Sequence, residues 1–511
     1  METVRRRLNI YGVLIFALVF FLGAVAPSSE AADPIPVTIA TAFGPLANNA
    51  TSHMFLANDY IQVPLDLDKA GYVEEEYFIG GTANVYQDDS SFNLSIVSTG
   101  PYRTRMIVRR PAKTNKFSGH VFVEWMNSAR RWDQEIVFAY MYQYILRSGD
   151  IWIGVSSAPS VIDTYKILFD PVRYAALLWD YKLPATQSCA NPAVESGLVF
   201  DIFRQLGALL KSDDPTNPLA GYDVKYLHLT GHGSQFVNTV NYSYELNAFG
   251  DGSPIYDGIF LKDGAGPTNF NQCMARIPTG DPRRKIREHN VPVIWSNPQT
   301  FIDPPNRIDD SDEPGYQYRL YEVAGAAHVD GWMHFFLPVD ADQIKVNYIP
   351  PGRYDTWPFN YDCDPPLVTT ATSNPLTKFS YPIIVAATVD NLKKWVEKGI
   401  SPPMAERILV DANDDPILDE FDNAIGGVRS PGVDVPISSY YTSWTPSNVG
   451  SCWQMGVEVP FTEEQLKALY RSHGDYVMQV IRNTNQRVKE DWILREDGIE
   501  IIRKAVQANV P

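Results

Sequence analysis

A serine lies in a glycine-containing turn near the middle of this chain. Residues 230–235 read TGHGSQ, after the apolar run Tyr226–Leu229 and before an amphipathic stretch that starts at Phe236. A strand that ends in a tight turn and leads into a helix exposes a serine hydroxyl at the edge of a sheet. There the hydroxyl can attack a carbonyl carbon, so we predict Ser234 as the nucleophile of an acyl-transfer reaction.

A histidine further along the chain is placed to serve as the base for that serine. A serine hydroxyl is a weak nucleophile until a base within hydrogen-bonding reach takes its proton. His328 follows a predicted strand over 318–323, and the small residues of the loop Gly325–His328 leave room around its ring. Because its position and its order after the serine both suit the role, we predict His328 as the base. His232, beside the serine, either shapes the pocket or distorts the turn.

Two aspartates compete for the role of the acid that orients the base. Asp303 follows the predicted strand 291–295, and Asp263 follows the predicted strand that ends at Leu261. The sequence does not choose between them. Gln299 lies nearer to the end of the 291–295 strand, but an amide would orient an imidazole without stabilising its charged form.

The negative charge that develops on a carbonyl oxygen during acyl transfer needs backbone N–H donors, which form an oxyanion hole. One expected donor is the N–H of Gln235, directly after the serine. The other is expected in the loop after the predicted strand 121–124, where Met126 and Asn127 lie.

The elements that must position these residues alternate between strand and helix from about residue 119 to residue 330. Such alternation predicts a mostly parallel sheet with helices on both faces, whose sites form at the carboxyl ends of the strands. The predicted strands are 121–123, 151–155, 225–229, 255–261, 291–295 and 318–323, and the predicted helices are 133–147, 194–210 and 235–247.

The flanking regions follow different patterns. Residues 33–115 are extended and rich in turns, with strands predicted over 77–79 and 105–108 and a turn at Gly80-Gly81. Beyond a last sheet-covering helix at 386–398 the pattern is less regular, although TEEQ at 462–465 is a capping box that opens a helix to about Arg471. We therefore predict one domain over 33–511, composed of a β-rich part (33–115), a core (116–400) and a C-terminal extension (401–511).

The first 32 residues have the pattern of a secretory signal peptide. Arg5–Arg7 supplies a basic start, Ile10–Val25 is a nearly unbroken apolar run, and Ser29–Ala31 offers a small-x-small cleavage site. We expect a secreted or periplasmic protein, the alternative being an uncleaved anchor that would be the chain's one contact with a membrane. Four cysteines predict two disulfides with three possible pairings: Cys189, Cys273, Cys363 and Cys452.

Composition narrows the class of partner. The 511 residues are 45% hydrophobic and 20% charged, with a net charge of −17. Such acidity argues against nucleic acid, because phosphate binding needs clustered lysine and arginine. We find no glycine-rich phosphate loop, dinucleotide fingerprint or histidine-rich metal cluster, so we predict neither a cofactor nor a metal.

Several stretches together resemble a known family. They are Gly71–Phe78, Gly81–Tyr86, Val123–Asn127, Asp201–Phe203, Tyr256–Gly258, Glu322–His328 and Gly426–Arg429. On these residues the chain resembles the bacterial-type alpha/beta hydrolase domain-containing proteins, over nearly all of its mature length. The resemblance implies an α/β-hydrolase fold, with N-terminal β-rich and C-terminal irregular extensions, and the activity of secreted, esterase-like hydrolases.

The sequence departs from that family in two places. The family's serine turn is similar to Gly-x-Ser-Gln-Ser, and matching its Ser-Gln to Ser234-Gln235 requires one extra residue. Matching from Gly231 without an insertion places Gly233 at the nucleophile position. In the family that the chain resembles, the acid is the glutamate of a Glu-Thr pair. The corresponding residues here are Gln299 and Thr300.

Two functions follow from these observations. The first is a serine hydrolase, a carboxylic ester hydrolase that forms an acyl-enzyme on Ser234 with His328 as base and takes a small ester-like substrate. The second is a catalytically impaired homologue that binds a ligand in the same pocket. The sequence does not indicate whether the protein is a monomer or an oligomer.

Overall fold

The structure is a computed structural model of the chain. It describes residues 35–49, 51–182, 189, 195–233, 238–264, 269–270, 273, 277–278, 280–333, 336–347, 377–443 and 452–511.

One large mixed sheet organises the described part of the chain. Its strands in chain order are β1 (Thr41–Phe43), β2 (Tyr72–Asp88), β3 (Leu94–Pro111), β4 (His120–Trp125), β5 (Ile151–Val155), β6 (Leu178–Trp179), β7 (Tyr226–His232), β8 (Gly258–Lys262), β9 (Val293–Pro298), β10 (Ser311–Glu313) and β11 (Tyr316–Val323). In space they run β1-β2-β3-β5-β4-β7-β8-β9-β11-β10, with β6 paired to β3. A second sheet joins β12 (Ser438–Tyr441) to β13 (Val457–Pro460).

The middle of the large sheet is parallel, as the strand–helix alternation predicts. Strands β5, β4, β7, β8, β9 and β11 pair in parallel. The long ribbon of β2 and β3 is antiparallel and joins β5 at one side, while β10 closes the other side antiparallel to β11. The fold is therefore α/β with a β-rich N-terminal part.

Helices cover both faces of this sheet, and further helices lie in the C-terminal part of the described chain. They are α1 (Leu67–Ala70), α2 (Ile136–Ser148), α3 (Pro159–Thr164), α4 (Val199–Leu210), α5 (Asn238–Asn241), α6 (Ser243–Leu246), α7 (Asp340–Lys345), α8 (Tyr381–Lys398), α9 (Pro431–Asp434), α10 (Glu463–Leu469), α11 (His473–Lys489) and α12 (Arg495–Gln507). The predicted capping box is present at Thr462 and Gln465, at the start of α10.

The two-residue period of a strand divides the core into two layers. In β8, Ile259 and Leu261 belong to the apolar cluster that includes α4, whereas Phe260 belongs to the cluster that includes α2 and α8. Each such fully buried side chain contributes about 1.5–3 kcal/mol relative to leaving it exposed. The same period places Lys262 on the α2–α8 face, with Phe260.

Two local predictions differ from the structure. Gly80 and Gly81 lie inside β2 and make no turn; they allow close packing, since a Cβ on Gly81 would lie 2.7 Å from Gln205 Oε1 of α4. The predicted helix 235–247 contains, in its described part, the two short helices α5 and α6. Residues 238–243 (NTVNYS) are poor helix formers, and Asn241 binds the backbone of neighbouring segments through its side chain.

The C-terminal extension contains more regular structure than its sequence pattern indicates. Helices α11 and α12 pack against each other, and α11 buries Tyr476, Val480 and Thr484 at a four-residue spacing. That spacing is the helical signal in this segment.

One disulfide joins Cys189 to Cys273, whose Cα atoms are 4.9 Å apart; Cys363 lies outside the described residues, as does the predicted signal peptide. Within the described ranges, none of the helices has both the length and the apolar character that crossing a membrane requires.

Candidate active site

Four polar side chains come together at the carboxyl ends of the parallel strands. Asn127 follows β4, His232 ends β7, Asp263 follows β8, and His328 lies in the loop after β11. This edge is where open α/β sheets bind their ligands.

The central contact joins Asp263 to His328. The carboxylate Oδ2 lies 3.0 Å from the imidazole Nδ1. Asp263 is fully buried, whereas the His328 side chain is 14% exposed. Because Nδ1 faces the carboxylate, Nε2 is the ring nitrogen that remains to exchange a proton with a reacting group. The arrangement is that of a general base with an orienting acid.

The structure brings Asp263, and not Asp303, to His328. Asp303 Oδ2 accepts a hydrogen bond of 2.9 Å from Asn306 Nδ2 within its own turn. The two candidates differ because Asp263 follows β8 directly, at the strand end that faces His328 across β9. The carboxylate that contacts His328 therefore lies one strand earlier than the loop after β9.

Two further groups stabilise the charged form of the buried Asp263 carboxylate. Its Oδ1 accepts a hydrogen bond of 3.0 Å from the Tyr381 hydroxyl and lies 3.0 Å from the Lys262 ammonium. The ammonium also lies 3.8 Å from the ring centre of Tyr140. Burial alone would raise the pKa of Asp263, but Lys262 and the imidazole hydrogen bonds hold that pKa well below its usual range. Asp263 is thus ionised at neutral pH.

A second imidazole shares the same carboxylate oxygen. His232 Nε2 lies 3.1 Å from Asp263 Oδ2, and the rings of His232 and His328 stack with their centres 4.7 Å apart. Burial lowers the pKa of His232 to about 4, so this ring is neutral at neutral pH. Of the two interpretations of His232 from the sequence, the contact with Asp263 agrees with a residue that shapes the pocket.

The loop after β9 holds the His328 loop by its backbone. Gln299 Oε1 accepts a hydrogen bond of 2.9 Å from the Gly325 N–H, and Thr300 Oγ1 accepts one of 3.2 Å from the His328 N–H. The ring of Phe301 lies against the His328 ring, with centres 4.4 Å apart. Gln299 therefore holds the His328 loop through the main chain and does not contact the imidazole.

The predicted oxyanion donors after β4 are engaged in this conformation. The Met126 N–H donates to Val155 O at 3.2 Å, and the Asn127 N–H donates to Gln134 O at 3.0 Å. These bonds would have to open before either N–H could bind an oxyanion, which departs from the sequence prediction. The loop is pinned because Asn127 and Gln134 pair as an isolated β-bridge.

The turn predicted to hold the nucleophile is described up to Gly233; Ser234 and Gln235 lie outside the described residues. Gly233 follows the last residue of β7 with a φ of +102° and donates its N–H to Lys262 O at 3.2 Å. A positive φ of this size favours glycine, and a Cβ on Gly233 would meet no atom within 4 Å.

Three of these side chains could in principle hold a metal ion. Ligand atoms of His232, Asp263 and His328 all lie within 4.8 Å of one another. However, the Asp263 carboxylate already faces the Lys262 ammonium, which would repel a cation. The donor set also fits imidazole–carboxylate hydrogen bonds of 3.0 and 3.1 Å, so the cluster fits a hydrogen-bonded network better than a metal centre.

Comparison with known proteins agrees with this architecture. A model of the alpha/beta hydrolase domain family matches residues 42–503. The chain belongs to that family. No curated protein matches it.

Solved structures with a similar fold include an esterase from Rhizomucor miehei, at 10% identity over 55% of this chain and 88% of that one, with a TM-score of 0.31. Thermogutta terrifontis esterase 2 phosphonylated by cyclosarin is similar at 12% identity, 48% and 86% coverage and a TM-score of 0.26. A lipase/esterase from Lactobacillus plantarum is similar at 10% identity, 44% and 83% coverage and a TM-score of 0.22. These likenesses concern the fold alone.

Sequence reasoning missed three contributors to this family member's site. Lys262 had a local signal, because it is a charged residue at the end of the apolar strand β8, directly before Asp263. The Asn127 side chain lies in a loop from which the sequence predicts only backbone donors. Tyr381 had no usable signal, since it is 118 positions from the carboxylate it binds.

Proposed function

We propose that this protein is a serine hydrolase of small carboxylic esters. The observation that carries the proposal is the buried Asp263 carboxylate at 3.0 Å from His328 Nδ1, which leaves Nε2 directed elsewhere for proton transfer. Membership of the alpha/beta hydrolase domain family supports a hydrolase. The export signal predicted over 1–32, together with the disulfide between Cys189 and Cys273, supports a secreted or periplasmic enzyme.

In the proposed mechanism Ser234 is the nucleophile and His328 the base. The serine oxygen attacks the ester carbonyl carbon while His328 Nε2 takes the hydroxyl proton, and a tetrahedral oxyanion forms. The carbon–oxygen bond to the alcohol then breaks, and His328 returns the proton to the departing alcohol. Water attacks the resulting acyl-enzyme with the same base assistance, which releases the carboxylic acid and restores Ser234. Asp263 remains ionised throughout and stabilises the His328 imidazolium.

The test is covalent labelling combined with ester turnover. Wild-type protein is expected to react with a fluorophosphonate probe and to hydrolyse p-nitrophenyl acetate, and both reactions are expected to disappear in Ser234→Ala and His328→Ala. Folded wild-type protein that neither reacts with the probe nor turns over the ester would refute the proposal. Thermal unfolding of each variant checks that it is folded.

A specific observation favours the second candidate, an impaired homologue that binds a ligand. Gly233 is the first residue after β7 and has the positive φ expected of a strained strand-to-helix turn. The nucleophile of an α/β-hydrolase occupies such a turn, so Gly233 lies where a nucleophile is expected. If Gly233 replaces the nucleophile, wild-type protein does not react with the probe, and Gly233→Ser gains labelling at residue 233. Labelling of the wild type at Ser234 excludes this candidate.

A further inference from the structure

The environment of His232 contains a chain of hydrogen bonds that neither the family assignment nor the serine–histidine–acid mechanism requires. His232 is the last residue of β7, with a side chain that is 2% exposed. Its Nδ1 lies 3.0 Å from Asn127 Nδ2, and its Nε2 lies 3.1 Å from Asp263 Oδ2. The ring therefore connects the loop after β4 to the acid of the site.

The backbone determines how the Asn127 amide is oriented. Asn127 Oδ1 lies 2.9 Å from the Ala129 N–H, which can only donate, and 3.1 Å from Gln134 Nε2. The oxygen must therefore face those donors, and the NH₂ group must face the imidazole.

That orientation determines the tautomer of His232. An amide NH₂ donates, so His232 Nδ1 accepts with its lone pair, and the ring proton of the neutral imidazole is on Nε2. Nε2–H then donates to Asp263 Oδ2. Since His328 Nδ1 is also at 3.0 Å from Oδ2, one carboxylate oxygen serves two imidazoles.

We infer that His232 is a positioning residue, which holds the Asp263 carboxylate against His328 and divides its negative charge between two N–H donors. A carboxylate oxygen that already accepts one N–H stabilises a second, charged imidazolium less strongly. His232 thus keeps His328 a weaker base than an unshared Asp263 would make it, and Asn127 keeps His232 in the donating tautomer. The inference rests on the proposed hydrolase function.

A variant pair at His232 tests the inference through the pH profile of ester turnover. His232→Leu removes the donor and is expected to raise the lower apparent pKa of kcat/KM by about half a unit or more. It is also expected to lower kcat about tenfold with little change in KM, because the carboxylate loses its alignment. His232→Gln replaces Nε2–H with an amide N–H and is expected to recover most of both effects.

The matched control is His228→Leu. His228 is a fully buried histidine on the same strand and the same face, and its Nε2 bonds to His120 and not to Asp263. This variant is expected to lose stability without moving the pH profile. Should His232→Leu not fold, Asn127→Leu replaces it: it leaves His232 in place, and ¹⁵N-histidine spectra report whether the ring proton leaves Nε2.

The outcomes separate this inference from the proposed function. If wild-type protein hydrolyses the ester and His328→Ala does not, but His232→Leu keeps the wild-type pH profile and kcat, the role of His232 is overturned and the hydrolase stands. A wild-type ¹⁵N spectrum with the His232 proton on Nδ1 overturns it as well. Absence of turnover in the wild type rejects the proposed function instead, while the tautomer remains measurable.

Discussion

Two buried aspartates near the same strand ends behave in opposite ways. Asp263 and Asp330 are both almost entirely inaccessible to solvent. The pKa of Asp263 is held well below its usual range, whereas burial raises the pKa of Asp330 to about 7. Asp330 Oδ1 accepts hydrogen bonds from the backbone N–H groups of Trp332 and Met333, at 2.9 and 3.3 Å.

The difference lies in the neighbours and not in the burial. Asp263 has the Lys262 ammonium at 3.0 Å and accepts imidazole and phenol donors, so its charged form is compensated on both oxygens. At Asp330 burial raises the pKa by more than the Tyr140 hydroxyl, the Lys262 ammonium and the two backbone donors lower it. A buried carboxylate is suited to stabilise an imidazolium only where neighbouring charges and hydrogen-bond donors keep it ionised.

The largest expected effect comes from replacing the ionised Asp263 carboxylate with a neutral amide. Asp263→Asn is expected to lower kcat/KM by about 10³- to 10⁴-fold, because an amide cannot stabilise the His328 imidazolium. Asp303→Asn is the matched control and is expected to stay within about twofold of wild type, as surface substitutions away from a site usually do. Steady-state kinetics on p-nitrophenyl acetate measure both; equal losses in the two variants would contradict the assignment of the acid.

Removing the cation is expected to make Asp263 resemble Asp330. Lys262→Met leaves a buried carboxylate without its ammonium, so its pKa rises and the free energy of unfolding falls by about 3–5 kcal/mol. Urea unfolding at pH 7 measures this loss. Lys393→Met, which breaks the Asp150 ion pair away from the site, is the control: it is expected to cost stability without affecting the pH dependence of turnover. Unchanged stability in Lys262→Met would show that the ammonium is not the decisive neighbour.

The opposite pKa shifts predict opposite slopes of stability against pH. Asp263, with a lowered pKa, stabilises the fold above the unfolded-state pKa of about 3.9, and this contribution is lost as pH falls below that value. Asp330, with a raised pKa, binds a proton in the folded state that the unfolded state releases, so its contribution is greatest below about pH 4 and is lost as pH rises to about 7.

Asp330→Asn is therefore expected to remove a decline in unfolding free energy of about 1–3 kcal/mol between pH 4 and pH 7. Urea titrations across that range, on the variant and the wild type, measure the difference. A decline that persists in the variant would assign the slope to another group.

The smallest expected effect concerns the phenol donor. Tyr381→Phe removes the 3.0 Å hydrogen bond to Asp263 Oδ1 and is expected to lower kcat less than tenfold and stability by about 1 kcal/mol. Tyr140→Phe, whose ring lies under the same ammonium, is the control and is expected to leave kcat unchanged. A larger loss in Tyr140→Phe than in Tyr381→Phe would reverse the assignment of the two rings.

The sequence predicted the parts of the site that depend on local order. His328 follows β11 and Asp263 follows β8 because the apolar runs end there, and the strand–helix alternation predicted which edge of the sheet they share. The choice between Asp263 and Asp303 could not be made, because it depends on which strand end faces the His328 loop in space. The hydrogen bond from the Asn127 N–H to Gln134 O could not be predicted either, because the path of a loop, and not a periodic pattern, brings Gln134 there.

The alternation of side chains along β8 limits which insertions and deletions the sequence can accept during evolution. Gaining or losing one residue within that strand would turn Lys262 toward the apolar layer of α4 and Leu261 toward the tyrosines of α2 and α8. Such a length change would remove the counter-ion of Asp263 and bury a lone charge in hydrocarbon at the same moment. Insertions and deletions are therefore expected to be confined to the loops that precede this strand.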